Sequence, residues 1–219
     1  LLARSACYHA LSMALRHPGT QTLKWLVSQE HRRLIDIVEM LVNPHTNLIG
    51  VGVKEDEGLL PEAVRCLVTA LDAVSISEWA QEHERVFGHS VQSAAPPYEL
   101  EYGEEHSHRQ PQELGDIAAF YQAFGLRAST ASHERVDHIV AECEFMRYLL
   151  YKQAVALDDE RSDQAAVCES AAKQFLADHL GCWSLAFALR LSRCAGLELM
   201  RSSAELLIAW LRLECERME

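Results

Sequence analysis

Two short segments of the sequence combine residue types that could bind a partner. The first, Pro96–Gly103, contains tandem prolines followed by Tyr-Glu-Leu-Glu-Tyr-Gly. Prolines restrict the backbone, so less entropy is lost when such a loop meets a partner. Tyrosines offer broad amphipathic contacts, and the surrounding glutamates add negative charge. The segment predicts either a partner-binding loop or a latch whose tyrosines fold onto the protein body. The candidate binding residues are Pro97, Tyr98, Glu99, Glu101 and Tyr102.

The second segment is Glu134-Arg135-Val136-Asp137-His138, at the start of the strongest helical pattern in the sequence. Acidic side chains in a first helical turn complement the helix dipole, which explains Glu134 and allows a capping role for Asp137. Capping gives no reason for His138, because a positively charged imidazole is disfavoured at a helix N-terminus. Glu134, Asp137 and His138 are therefore the second group of candidate binding residues.

Catalysis is the main alternative to binding. Several histidines and glutamates around the first segment could hold zinc or iron, and they would then support a metal-dependent hydrolase. However, no H-x-x-x-H or E-x-x-H pair places two ligands on one helix face. Cys182 and His179 are three residues apart, but both fall on an apolar stripe, which favours a core role. We therefore predict no catalytic residue, no metal and no cofactor. The metal alternative uses His83, His89, Glu104, Glu105, His106 and His108.

The composition narrows the range of partners. The 219 residues carry a formal net charge of -12, which repels nucleic acid and anionic membranes but attracts a basic peptide. Taken alone, this excess of carboxylates is also explained as a surface that only keeps the protein soluble. The longest late apolar run, Leu206–Leu211, is too short to span a bilayer. Seven cysteines without a C-x-x-C motif indicate reduced thiols. Charged and polar residues interrupt the first apolar positions, so no signal peptide is predicted. These features predict a cytoplasmic protein.

The elements that position the two segments are predicted to be helices. Only ten glycines and six prolines occur, which suits long helices joined by short loops. Apolar residues recur at three- and four-residue spacing, and no segment alternates for long enough to indicate a strand. We predict an all-α, single multi-helix bundle over residues 1–219, with a candidate hinge at 125–131. Predicted helices cover Leu23–Leu41, Leu59–Leu71, Ser77–Phe87, Pro111–Phe124, a segment capped by Ser132, Phe175–Phe187 with Gly181 near a kink, and Leu197–Cys215.

Together the two segments resemble the TorD/DmsD/NarJ family, the dedicated chaperones of molybdenum-cofactor oxidoreductases. That family has a proline-aromatic loop in mid-chain and, some thirty residues later, an E-x-P-D-H-type motif. Here the motif is represented by Glu134, Asp137 and His138, with Val136 in place of proline. Glu142–Leu150 and Phe175–Trp183 resemble later family segments. The loop is most similar to the branch serving type II dimethyl-sulfoxide-reductase-family enzymes.

The resemblance implies a chaperone of the TorD/DmsD-like all-helical type, with no enzymatic activity. Such a protein binds the apo catalytic subunit of its molybdoenzyme in the cytoplasm, often through a twin-arginine leader peptide. It assists cofactor insertion and delays export until maturation is complete. The resemblance also implies a monomer or a domain-swapped dimer. A metal-dependent hydrolase and a plain helical protein-binding scaffold remain as alternatives.

Overall fold

The computed structural model describes residues 1–42, 58–88, 93–102, 110–127 and 135–217. These ranges are built from α-helices, and their one isolated β-bridge joins Tyr98 to His138. The prediction of an all-α fold is confirmed. A 3-10 turn spans Glu99–Glu101, and a π-helical turn spans Leu176–Leu180. The helices are α1 (Leu2–Leu15), α2 (Thr20–Val27), α3 (Glu30–Val42), α4 (Leu59–Ala73), α5 (Ile76–Phe87), α6 (Gln110–Ala123), α7 (Ile139–Asp158), α8 (Ser162–Phe175), α9 (Gly181–Cys194) and α10 (Glu198–Glu216).

Helix α7 lies at the centre of the packing. It is flanked by α1 and α8, while α10 packs against α1, α4 and α9. Apolar residues of α7 such as Cys143, Met146 and Leu149 are fully buried, and so are Leu11 and Leu15 of α1. Burial of these side chains is the dominant favourable contribution to the stability of such a core. The core therefore fixes the start of α7, where the second predicted segment lies.

Several predicted helix boundaries are confirmed within one or two residues. Helix α5 begins after Ser75, whose hydroxyl accepts from the Glu78 backbone N–H, while the Glu78 carboxylate accepts from the Ser75 backbone N–H. This reciprocal capping satisfies two backbone donors at the helix start. The helix ends at Gly88, whose φ of 56° suits glycine.

The predicted single helix Leu23–Leu41 is wrong, because the structure divides it into α2 and α3. Gln29 lies between the two helices with a φ of 58°. A left-handed residue cannot continue a right-handed helix. The three- and four-residue spacing continues across this break, so periodicity alone did not reveal it.

The predicted cap of the strongest helix is also wrong. Its N-cap is His138, and the helix begins at Ile139. Ser132, the predicted cap, lies outside the described residues, and so does part of the candidate hinge at 125–131. Val136 and Asp137 form a turn before the helix. The second predicted segment therefore approaches α7 as a turn, and this leaves its backbone available for other contacts.

Gly181 closes the π-helical turn between α8 and α9, where a kink was predicted. Its backbone N–H bonds to the carbonyl of Leu176, and a Cβ at this position would lie 2.5 Å from that oxygen. We expect Gly181→Ala to lower the free energy of unfolding by about 1–3 kcal/mol, since overpacking forces the backbone to shift. Gly115→Ala in α6 is the control. Apart from the adjoining residues and backbone of its own helix, no atom of the described residues lies within 4 Å of that Cβ position, so we expect a gain of about 0.5–1 kcal/mol. Urea denaturation of both variants tests this, and equal changes would contradict it.

No helix in the described ranges is long and apolar enough to cross a membrane.

Candidate functional site

The two segments singled out in the sequence meet in the structure. The Glu99 backbone N–H donates to the carbonyl of Asp137 at 3.0 Å, and the Ile139 N–H donates to the carbonyl of Pro97 at 2.9 Å. These bonds form the antiparallel bridge between Tyr98 and His138. We call the paired segments Pro96–Tyr102 and Arg135–Ile139 the junction. Residues almost forty positions apart are thereby held together at the start of α7.

His138 caps helix α7. Its Nδ1 accepts a hydrogen bond from the Val140 backbone N–H at 3.1 Å, so this nitrogen carries no proton. Burial lowers the pKa of His138 to about 3, with a further contribution from the positive charges of His83, Arg16 and Arg135. The imidazole is therefore neutral at physiological pH. The sequence interpretation that capping gives no reason for His138 is wrong, because it considered only the charged form.

Asp137 is completely buried and is paired with the arginine two residues before it. Arg135 donates to both carboxylate oxygens, at 2.9 and 2.6 Å, and also to Glu101 at 3.1 Å. The Leu100 backbone N–H donates to Asp137 at 3.3 Å. A buried carboxylate is tolerated when it is ion-paired and hydrogen-bonded in this way. Asp137 thus accepts hydrogen bonds from both segments of the junction and holds them together.

Glu99 points into the protein rather than towards solvent. Its carboxylate lies 3.2 Å from Nδ1 of His179, which belongs to the π-helical turn. It also hydrogen-bonds Glu142, a fully buried residue of α7 that accepts from the Trp183 indole N–H at 3.0 Å. Burial, together with the charge of Glu99, raises the pKa of Glu142 well above its usual range. Glu142 therefore keeps its proton and donates a hydrogen bond to the Glu99 carboxylate.

Tyr102 also faces the protein body. Its ring lies 5.4 Å from that of Trp183 and 6.2 Å from that of Phe187. Burial raises the pKa of its hydroxyl. The sequence left open whether the tyrosines of this loop face a partner or fold onto the protein body, and Tyr102 folds onto the body. Tyr98 differs, since it is only partly buried and its ring meets the His138 imidazole edge-on at 5.2 Å.

Sequence reasoning missed four residues that build the junction: Arg135, Glu142, His179 and Trp183. One signal could have identified Glu142, because it lies four residues after His138 on an otherwise apolar helix face. A carboxyl group in that position needs a partner. His179 and Trp183 are also four apart, and thus share a face of the helix. No sequence spacing indicates that His179 would meet Glu99 and that Trp183 would donate to Glu142.

Some predicted site residues lie outside the described ranges. These are Glu134, Gly103 and most of the metal alternative, namely His89, Glu104, Glu105, His106 and His108. The remaining histidine of that set, His83, packs edge-on against Phe87. Among the described residues, no three His, Cys, Asp or Glu side chains form a group that could hold a metal ion.

A match to a protein family identifies the class of this chain. Residues 55–188 match the family model described as "Nitrate reductase delta subunit". The match covers more than half of the 219 residues, and the chain belongs to this family. The assignment confirms the predicted resemblance to the TorD/DmsD/NarJ chaperones.

Two curated relatives carry more specific descriptions. The chain is 35% identical over 78 residues to the "Chlorate reductase assembly chaperone protein" of Ideonella dechloratans. It is equally similar to the "Selenate reductase assembly chaperone protein" of Thauera selenatis. Each alignment covers 36% of this chain, and the chain spans only 39% of the length of each relative. Both descriptions agree with the predicted branch of the family.

Proposed function

We propose that this protein is a cytoplasmic assembly chaperone for a molybdenum-cofactor oxidoreductase. It binds the apo catalytic subunit, including its twin-arginine leader peptide. It then holds the subunit until the cofactor is inserted, and so delays export. Family membership and the descriptions of both relatives support this proposal. The client belongs to the class of enzymes that those relatives serve.

The junction is the observation that carries the proposal. Its two buried titratable side chains have structural roles, since Asp137 pairs with Arg135 and His138 caps α7. The adjoining Glu142 of α7 holds its proton and accepts a hydrogen bond from Trp183. None of these three is arranged as a nucleophile or as a solvent-accessible base. The arrangement therefore favours binding over turnover. What it presents outward are the partly exposed side chains of Tyr98, Leu100 and Arg135, together with the edge of Glu101, whose side chain is 15% exposed.

This surface suits a basic, partly apolar peptide. Tyr98 and Leu100 offer apolar contact. Glu101 contributes negative charge, and the net charge of the whole chain is -12. Acidic surfaces steer basic partners towards them and lose that advantage as salt screens the charges. We expect the affinity for the leader peptide to fall as the salt concentration rises.

Tyr98→Ala is expected to weaken client binding by about tenfold or more, since a tyrosine at the centre of an interface is a frequent hot spot. The measurement is a calorimetric titration with the apo catalytic subunit of the client molybdoenzyme. Tyr151→Ala is the matched control, because Tyr151 is an exposed tyrosine (54%) in α7 outside the junction. We expect that variant to bind like the wild type. Equal affinities of all three proteins would contradict the assignment of the binding surface, and absence of any binding would contradict the function.

A further inference from the structure

Arg135 places a guanidinium group among three partners from the described residues at the outer edge of the junction. Asp137 accepts from two of its nitrogens and Glu101 accepts from the third. The ring of Tyr98 completes the set, with its centroid 4.7 Å from Cζ of Arg135. We call Tyr98, Glu101 and Asp137 the guanidinium cage. Planar donors, two carboxylates and an aromatic face are the combination that recognises arginine rather than lysine.

We propose that the guanidinium cage is a receptor for an arginine side chain of the client's leader peptide, and that Arg135 is a built-in placeholder which this arginine displaces. The inference rests on the proposed function and assigns one recognition site to it. Arg135 occupies the cage when no client is bound.

The burial of Asp137 explains why a placeholder is needed. This carboxylate has no exposed surface, whereas the side chain of Arg135 is 37% exposed. Leaving a buried charge unpaired is strongly unfavourable, so the cage must contain a cation before a client arrives. Exchange of one guanidinium for another keeps Asp137 paired throughout. Arg135 can then move into water from a position that is already partly solvated.

The exchange has a measurable consequence for affinity. A ligand that must displace an internal competitor binds more weakly, by a factor equal to the fraction of molecules in which the site is open. Removing the competitor should therefore tighten binding of an arginine-bearing peptide. It should have little effect on a peptide that carries lysine, because an ammonium group cannot form the paired bonds to Asp137.

The first test measures binding of a synthetic leader peptide with paired arginines, alongside the same peptide with lysines. We expect Arg135→Ala to bind the arginine peptide at least about tenfold more tightly than the wild type, corresponding to a wild-type cage that is open at most about one tenth of the time. Arg85→Ala is the matched control. It removes the same charge and a similar two-bond pair, formed with Glu82 on α5. The Arg85→Ala variant therefore shows how much of any gain in affinity comes only from the more negative net charge. Equal gains in Arg135→Ala and Arg85→Ala, or equal gains for both peptides, would overturn the proposal.

The second test examines the cage without any client. Millimolar ethylguanidinium should raise the melting temperature of Arg135→Ala, or restore its folding if it does not fold alone, and ethylammonium should not. Arg135→Lys retains a positive charge at the cage, and we expect it to show a smaller gain in affinity for the arginine peptide. Equal effects of the two cations would overturn the proposal. If ethylguanidinium restores Arg135→Ala but no form of the protein binds the leader peptide, the guanidinium site stands, and the failure belongs to the proposed function.

Discussion

Replacing Asp137 with alanine is expected to lower the free energy of unfolding by about 2–4 kcal/mol. Breaking a fully buried ion pair costs about 3–5 kcal/mol, but Arg135 can regain water, which reduces the loss. The Leu100 backbone N–H loses its acceptor as well. For a protein of this size the loss corresponds to a fall in melting temperature of roughly 5–15 °C. Thermal denaturation followed by circular dichroism measures it.

Asp159→Ala is the matched control for this prediction. Asp159 also pairs with an arginine two residues away, Arg161, but about half of each side chain is exposed to solvent. Exposed pairs contribute about 0–1 kcal/mol. We therefore expect Asp159→Ala to melt close to the wild type. Similar losses in the two variants would show that burial of Asp137 does not give the junction its stability.

The second large effect concerns the pH dependence of stability at Glu142. The pKa of this group is raised in the folded protein, chiefly by burial and then by Glu99. Above its unfolded pKa, near 4.5, the folded state therefore keeps a proton that the unfolded chain has released. The contribution of Glu142 to stability is complete below that pH. It declines as the pH rises towards the folded pKa, by up to about 1.4 kcal/mol per pH unit.

Glu142→Gln should abolish this decline. A glutamine amide can donate to Glu99 and accept from Trp183, as the protonated acid does. We expect the free energy of unfolding of the variant to increase relative to that of the wild type as the pH rises from 5 to 8. His138 has the opposite effect, because its folded pKa of about 3 makes the protein more stable as the pH rises from 3 to 6.5. Both proteins contain His138, so its contribution cancels when the stability of the wild type is subtracted from that of the variant at each pH.

Glu144→Gln provides the contrast, two residues further along α7. Burial alone would raise the pKa of Glu144, but the nearby His9 imidazole, a hydrogen bond from the Ser12 hydroxyl and the charge of Arg147 lower it to about 2. Its contribution to stability is present above pH 4.5 and is lost as the pH falls towards 2. The variant should be less stable than the wild type by a constant amount between pH 5 and pH 8. A flat difference for Glu142→Gln over the same range would show that Glu142 is ionised in the fold.

The sequence predicted most helices, because each depends on a local pattern. Helices α1 and α8 are exceptions, because neither was among the predicted helices. In α1, histidine, arginine and serine residues interrupt the apolar stripe, although nine of its 14 residues are buried. The break between α2 and α3 at Gln29 does not interrupt the three- and four-residue spacing of apolar residues, so the sequence pattern did not predict it. In contrast, the start of α7 depended on His138, whose capping role requires a neutral imidazole, and neutrality follows from burial. A protonation state set by the fold is not visible in a local pattern.

The candidate site was predictable only in part. The sequence identified both halves of the junction, and the structure adds their backbone pairing, which joins Tyr98 to His138 across a long stretch of chain. The interpretation of the loop as partner-facing assigned all of its acids to the surface. Glu99 instead turns inward, because His179 and Glu142 surround it. Such contacts arise from tertiary packing of α7 against the π-helical turn, and only the folded chain reveals them.

The most direct test of the chaperone assignment is a pair of calorimetric titrations with the catalytic subunit of the client molybdoenzyme. One titration uses the apo subunit with its leader, and the other uses the same subunit after cofactor insertion. A holding chaperone distinguishes these two states, since its affinity must fall when maturation is complete. We predict saturable binding to the apo subunit and at least about tenfold weaker binding to the loaded one. Equal affinity for both states, or no binding to the apo subunit, would contradict the account.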